Sequence, residues 1–156
     1  ELTYGGRHVS IASLPGMKER TVLINGFSKA FAMTGWRIGF VCAPPELDAA
    51  LFKIHQYAIM CAPSASQYAA IEGLKDGFTD NFAVVESMRE EYDKRRRFMT
   101  RFFNENGLPC FEPRGAFYVY PSTAALGVTG EEFANGLLRA EKVAAVPGEA
   151  FGEAGK

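Results

Sequence analysis

Residues 21–25 (TVLIN) form an apolar run rich in β-branched side chains, the pattern of a buried strand. Gly26 breaks it. Residues 37–42 (RIGFVC) predict a second strand, ended by Pro44-Pro45. Ahead of both, Gly5-Gly6 and Pro15-Gly16 predict loop with short helical turns over residues 5–20. The period then changes. Pro45 suits a first helical turn, and Glu46 and Asp48 suit its positive end, so a helix is predicted from Pro45 to about Met60. Pro63-Ser64 restarts the chain, and residues 66–75 read as another helix, closed by Gly77.

The longest predicted element is a helix over residues 81–106. Phe82, Val85, Tyr92, Met99, Phe102 and Phe103 recur at spacings of three, four or seven, which places them on one apolar stripe. Asn81 is the expected cap, and Asn106-Gly107 the stop. After Pro109 the character changes. Residues 116–120 (AFYVY) predict a strand, residues 129–141 a helix with Thr129 and Glu132 in capping-box positions, and residues 143–146 a short strand. Such a β–α–β piece is expected to form a second, smaller lobe, with the long helix as the bridge and a boundary between Phe82 and Pro109.

Composition adds exclusions. The chain has 156 residues, 47% of them hydrophobic, enough for a sizeable core, and a net charge of −1. That balance argues against a nucleic-acid partner, which calls for a basic surface. No apolar run is long enough to span a bilayer, no signal peptide is evident, and a cytoplasmic protein is expected. Cys42, Cys61 and Cys110 are odd in number and widely spaced, so reduced, partly buried thiols are expected rather than disulfides. His8 and His55 have no metal-type partners nearby, and no metal site is expected. Residues 94–97 (KRRR) offer either an anion patch or a solvated helix face. Glu90 and Glu91, four residues before Lys94 and Arg95, favour the solvated face.

The chemistry concentrates in residues 26–39 (GFSKAFAMTGWRIG). Lys29 follows a strand directly, in a turn between Gly26 and Gly35, with Phe27, Phe31, Met33 and Trp36 around it. A lysine so placed is expected to be partly desolvated, which disfavours its charged form and frees the amine as a nucleophile. Ser28 adds a hydroxyl, and Arg37 a guanidinium fork suited to phosphate. Gly35 and Gly39 are expected to let the backbone bend closely around a ligand. An amine, a hydroxyl and a guanidinium are what an aldehyde-bearing phosphate cofactor needs.

This stretch resembles the lysine signature of the class I and II aminotransferases, enzymes of fold type I that use pyridoxal 5'-phosphate (PLP). The signature runs as a small residue, Lys, then Gly-x-Arg-x-Gly at a fixed offset. Leu2-Thr3-Tyr4-Gly5-Gly6, Leu14-Pro15-Gly16-Met17 and residues 20–25 resemble the run-up to that lysine in the aspartate-aminotransferase-like branch. Gly115-Ala116-Phe117-Tyr118 resembles a strand of the small domain, and Val146-Pro147-Gly148 with Ala150-Phe151-Gly152 the segment before the C-terminal substrate arginine.

The resemblance implies an α/β fold: the end of the large PLP-binding domain over residues 1–80, a bridging helix over 81–106, and most of a smaller α+β C-terminal domain over 107–156. It implies that Lys29 is the Schiff-base lysine, which also shuttles a proton at the substrate α-carbon, that Arg37 holds the cofactor phosphate, and that Ser28 contacts it. Some relatives carry a second hydroxyl where this chain has Gly26, so one phosphate contact is expected to be absent or replaced. The substrates implied are an amino acid and a 2-oxo acid, and the assembly a homodimer.

The family's ring-nitrogen Asp, a Tyr just after it, an Asn, a Gly-rich loop and the substrate-carboxylate Arg are not found here. Glu1 and Gly155-Lys156 look like cuts, and the isolated chain is expected to have little or no transaminase activity. The same lysine signature also fits a C–S β-lyase, a cyclopropane-carboxylate synthase, or the PLP-sensing domain of a transcription regulator.

Overall fold

The computed structural model describes residues 2–155, so Glu1 and Lys156, at the expected cuts, lie outside the described residues. The chain divides into two compact units, Glu1–Arg89 and Glu90–Lys156.

The first unit opens with loop and two 3-10 turns, Ile11–Ser13 and Lys18–Arg20. Strand β1 (Leu23–Gly26) and strand β2 (Gly39–Cys42) follow, paired antiparallel with Leu23 opposite Cys42 and Gly26 opposite Gly39. Helix α1 spans Pro45–Ala58 with proline in its first turn, as expected. Helix α2 spans Ser64–Asp80. The core of the unit is Phe27, Met33 and Ala70, with Phe31, Ile38, Ala69 and Leu74 packed against it.

Three expectations for this unit change. The first strand is not buried: Ile24 is 77% exposed, because the sheet has only two strands among the described residues. Arg37 lies outside β2, at the end of the 3-10 turn Thr34–Trp36. Nor does Gly77 close α2. The helix runs on to Asp80, and a Cβ at Gly77 would come within 2.5 Å of the Phe82 ring. The glycine is room for a ring, not a stop signal. Asn81 and Phe82, both left-handed (φ 56° and 59°), make the turn instead.

Helix α3 (Ala83–Glu105) begins two residues later than Asn81. Asn81 therefore ends α2, and Asp80 caps α3, its carboxylate accepting from the Ala83 N–H at 3.2 Å. In the second unit the expected stripe is only partly covered: Tyr92 and Phe103 are half-buried, whereas Met99 and Phe102 are exposed. The buried positions of α3 are Asp93 and Thr100. The Asn104 amide donates to the carbonyls of Thr100 and Cys110 and accepts from the Cys110 N–H, tying the end of α3 to the chain after Pro109.

Neither strand expected in this unit forms. Residues 116–120 carry Ala116 at φ 60° and lie in no ladder; isolated bridges flank them, at Gly115 and between Cys110 and Pro121. Residues 143–146 form no strand. Both stretches have strand composition, but a strand needs a neighbour to hydrogen-bond, and among the described residues of this unit none is offered. Helix α4 (Gly130–Glu141) forms as expected, with the full capping box: Glu132 N–H to Thr129 Oγ1, and Thr129 N–H to Glu132 Oε2.

Candidate functional site

The Gly26–Gly39 pairing closes one loop, residues 27–38, which carries Ser28, Lys29 and Arg37. The sheet thus brings the three expected groups into one short segment, with Ser28 leaving it just after β1 and Arg37 just before β2. The pairing is close. A Cβ on Gly39 would lie 2.9 Å from the Asn25 carbonyl oxygen, so Gly39 serves the strand contact. A Cβ at Gly35 would meet no protein atom within 4 Å. The left-handed turns fall on Ala32 (φ 52°) and Arg37 (φ 51°). Non-glycine residues held there cost free energy, and such residues concentrate at functional sites.

The loop is ordered from below by its apolar residues. Phe27 and Met33 are buried. The Phe27 ring packs on Phe31 at 5.2 Å and on Phe40 at 5.8 Å, and Phe31 packs edge-on against Phe82 at 6.3 Å. The Phe27 carbonyl accepts the N–H groups of Phe31 and Met33, and the Phe27 N–H donates to Ile38. Helix α2 supplies the platform: Ser66, Ala69, Ala70, Gly73 and Leu74 share one helical face, and small residues at four of these five positions let the loop approach closely. A Cβ at Gly73 would sit 3.3 Å from the Phe31 ring.

This arrangement corrects one expectation. Lys29 is exposed in this chain: Phe27, Phe31 and Met33 turn inward to the core, and Trp36, itself 46% exposed, does not cover the lysine. Ser28 is half-buried, and Arg37 is exposed, its Nη1 donating to the Thr34 carbonyl at 2.9 Å. That bond ties the side chain back to its own turn. A further bond comes from outside the loop: Ser66 Oγ donates to the Trp36 carbonyl at 2.7 Å, and Ser66 is only 4% exposed. Sequence reasoning placed Ser66 on a helix and gave it no part in the site. The signal was present in the small residues Ser66, Ala70, Gly73 and Gly77, spaced at three and four, a face built for close approach.

The KRRR segment does not behave as one solvated face. Lys94 and Arg95 pair with Glu91, whereas the Arg96 side chain is 11% exposed and bonds Asp93, Glu112 and the Pro113 carbonyl. Arg97 also pairs with Asp93. Guanidinium donors of Arg97 and Arg96 hold the Asp93 carboxyl down at about 2. Arg96 alone of the four thus ties the helix to the loop that follows it, while the other three pair within the helix. Of the cysteines, Cys110 is buried, but Cys42 and Cys61 are exposed. Among the described residues no helix is long and apolar enough to cross a membrane.

The donor set of the 27–38 loop fits a phosphorylated aldehyde: an exposed primary amine, a hydroxyl beside it and a guanidinium presented from a fixed turn. Comparison with known proteins agrees. The whole chain, residues 1–156, matches the family Aminotransferase class I and II, and it belongs to that family. The Bacillus subtilis (strain 168) protein YugH, named provisionally as an aminotransferase, is 56% identical over 156 residues, 100% of this chain and 39% of its own length. An aspartate aminotransferase of Pyrococcus abyssi is 49% identical over 96% of this chain and 38% of its own. Among solved structures, an aromatic aminotransferase from Pyrococcus horikoshii superposes with a TM-score of 0.90 at 47% identity, over 98% of this chain and 40% of that one. The chain therefore spans about two-fifths of the length of the relatives it matches. The α/β fold and the aspartate-aminotransferase-like branch both follow, and the cofactor of this family is PLP.

Proposed function

We propose that this chain carries the lysine side of a PLP-dependent aminotransferase site that moves an amino group between an amino acid and a 2-oxo acid. The observation behind this reading is the 27–38 loop, in which one two-stranded pairing delivers Ser28, Lys29 and Arg37 together. In this reading Lys29 Nζ holds the cofactor covalently and, once displaced by the substrate amine, carries the proton at the substrate α-carbon. Arg37 grips the phosphate, with Ser28 as a second donor. PLP, when bound, supplies an aldehyde carbon and an electron-withdrawing ring. The exposure of Lys29 in this chain suits an amine that must meet both a cofactor and a substrate.

The reading includes a division of labour along the chain. Residues 1–80 belong to the large cofactor-binding domain, 81–106 to a bridging helix and 107–156 to a smaller domain. A homodimer and a cytoplasmic location also belong to it, on family grounds.

Reductive labelling tests the lysine. Borohydride treatment of the full-length protein loaded with PLP should fix the cofactor on the peptide that contains Lys29, and Lys29→Ala should abolish the label. A label on another lysine, or one that survives the substitution, would overturn the assignment. Incubation with an amino acid and 2-oxoglutarate checks the reaction. Glutamate formation supports transfer; release of ammonia and a thiol from a thioether amino acid would point to the lyase chemistry instead.

A further inference from the structure

We propose that Ser66 is a positioning residue for Arg37, acting through the Trp36 carbonyl. The inference rests on the reading of Arg37 as the phosphate grip and deepens it.

Arg37 departs from the loop at a left-handed residue (φ 51°, ψ 49°) that closes the 3-10 turn Thr34–Trp36. A non-glycine residue stays there only if its surroundings over-determine the turn. Three contacts do so. The Trp36 N–H donates to Met33 within the turn. The Arg37 guanidinium donates to Thr34. Both are local and move with the loop. The third, Ser66 Oγ to the Trp36 carbonyl at 2.7 Å, comes from a helix thirty residues away in sequence. It anchors the peptide between Trp36 and Arg37 to a fixed element, because that carbonyl belongs to the same peptide unit as the Arg37 N–H. Ser66 is buried and stands one helical turn before Ala69 and Ala70, so α2 cannot shift its hydroxyl without disturbing the Phe27–Met33–Ala70 core. The loop's apolar side chains hold its level, and the Ser66 bond fixes the rotation of the peptide from which Arg37 is aimed.

Removing the hydroxyl leaves the Trp36 carbonyl without this partner and frees the turn to sample other conformations. Phosphate affinity should fall while the lysine chemistry persists. The test is a double-mutant cycle in the full-length protein with Ser66→Ala and Arg37→Ala, reading equilibrium binding of PLP, of pyridoxal (the same aldehyde without the phosphate) and of inorganic phosphate. Ser66→Ala should weaken PLP and phosphate binding by about three- to tenfold and leave pyridoxal binding unchanged. In an Arg37→Ala background the same change should cost less than twofold. Equal weakening of PLP and pyridoxal, or full additivity with Arg37→Ala, would show that Ser66 merely supports the fold and would overturn the inference. If Arg37→Ala itself does not discriminate PLP from pyridoxal, the phosphate role of Arg37 fails, and the Ser66 proposal falls with it for a separately recorded reason.

Discussion

Asp93→Asn asks how much the second unit depends on one carboxylate. Asp93 accepts from Arg96, whose side chain is 11% exposed, and from Arg97, which is 68% exposed. The Arg97 pair is screened by solvent and is worth little. The Arg96 pair matters more, because Asn turns an ionised acceptor into a neutral group that presents donors toward a nearly buried guanidinium. Arg96 keeps Glu112 and the Pro113 carbonyl, so the loss falls short of a fully orphaned buried charge. We expect about 2 kcal/mol of destabilisation at neutral pH, which moves a urea midpoint followed by far-UV circular dichroism by about 1 M. The pH dependence gives an independent reading. With Arg97 and then Arg96 donating to it, the Asp93 carboxyl sits at about 2 when folded, below its ordinary 3.8. A depressed carboxyl stabilises the fold above its unfolded pKa and loses that contribution as pH falls through the folded value. The contribution, at most about 2 kcal/mol, should therefore fade between 3.8 and about 2 in the parent, and the Asn variant should lack that slope. Glu112→Gln is the control: Glu112 is 65% exposed, and its loss should cost well under 1 kcal/mol. An Asp93→Asn midpoint equal to the parent's, or an acid slope that survives the change, would refute the argument.

Two further outcomes follow from local geometry. Gly77→Ala should destabilise by about 1–2 kcal/mol in a thermal melt, because displacing the Phe82 ring outweighs the helix propensity gained; stabilisation would show that the ring has room to move. Thr129→Ala should cost about 1 kcal/mol and speed amide exchange at the start of α4. The Thr129 backbone N–H, then its hydroxyl, lowers the Glu132 carboxyl below its ordinary 4.5. The cap's stabilisation should thus be present above 4.5 and fade as pH falls below it; protection at the start of α4, taken relative to intrinsic exchange, that is unchanged by acid would contradict this.

The chemical identity of the site was legible in the sequence because it resides in local order: Ser28-Lys29, then Arg37, within one loop. Local order also determined α1, the capping box of α4 and the turns before β1, since capping residues and proline act on their immediate neighbours. What the sequence by itself could not determine depends on groups distant along the chain. Gly77 reads as a helix stop until the Phe82 ring is seen above it. Arg95 and Arg96 look alike in a charge run, yet one points to solvent and the other reaches Glu112, sixteen residues on. Residues 116–120 and 143–146 have strand composition, but strand formation is decided by a neighbour's hydrogen bonds, not by the segment's own side chains. Lys29 seemed desolvated by the apolar residues beside it, and only tertiary packing showed Phe27, Phe31 and Met33 turning inward while Trp36 and the lysine stayed exposed. Ser66 reached the site by the same route, since a hydrogen bond across thirty residues leaves no local trace.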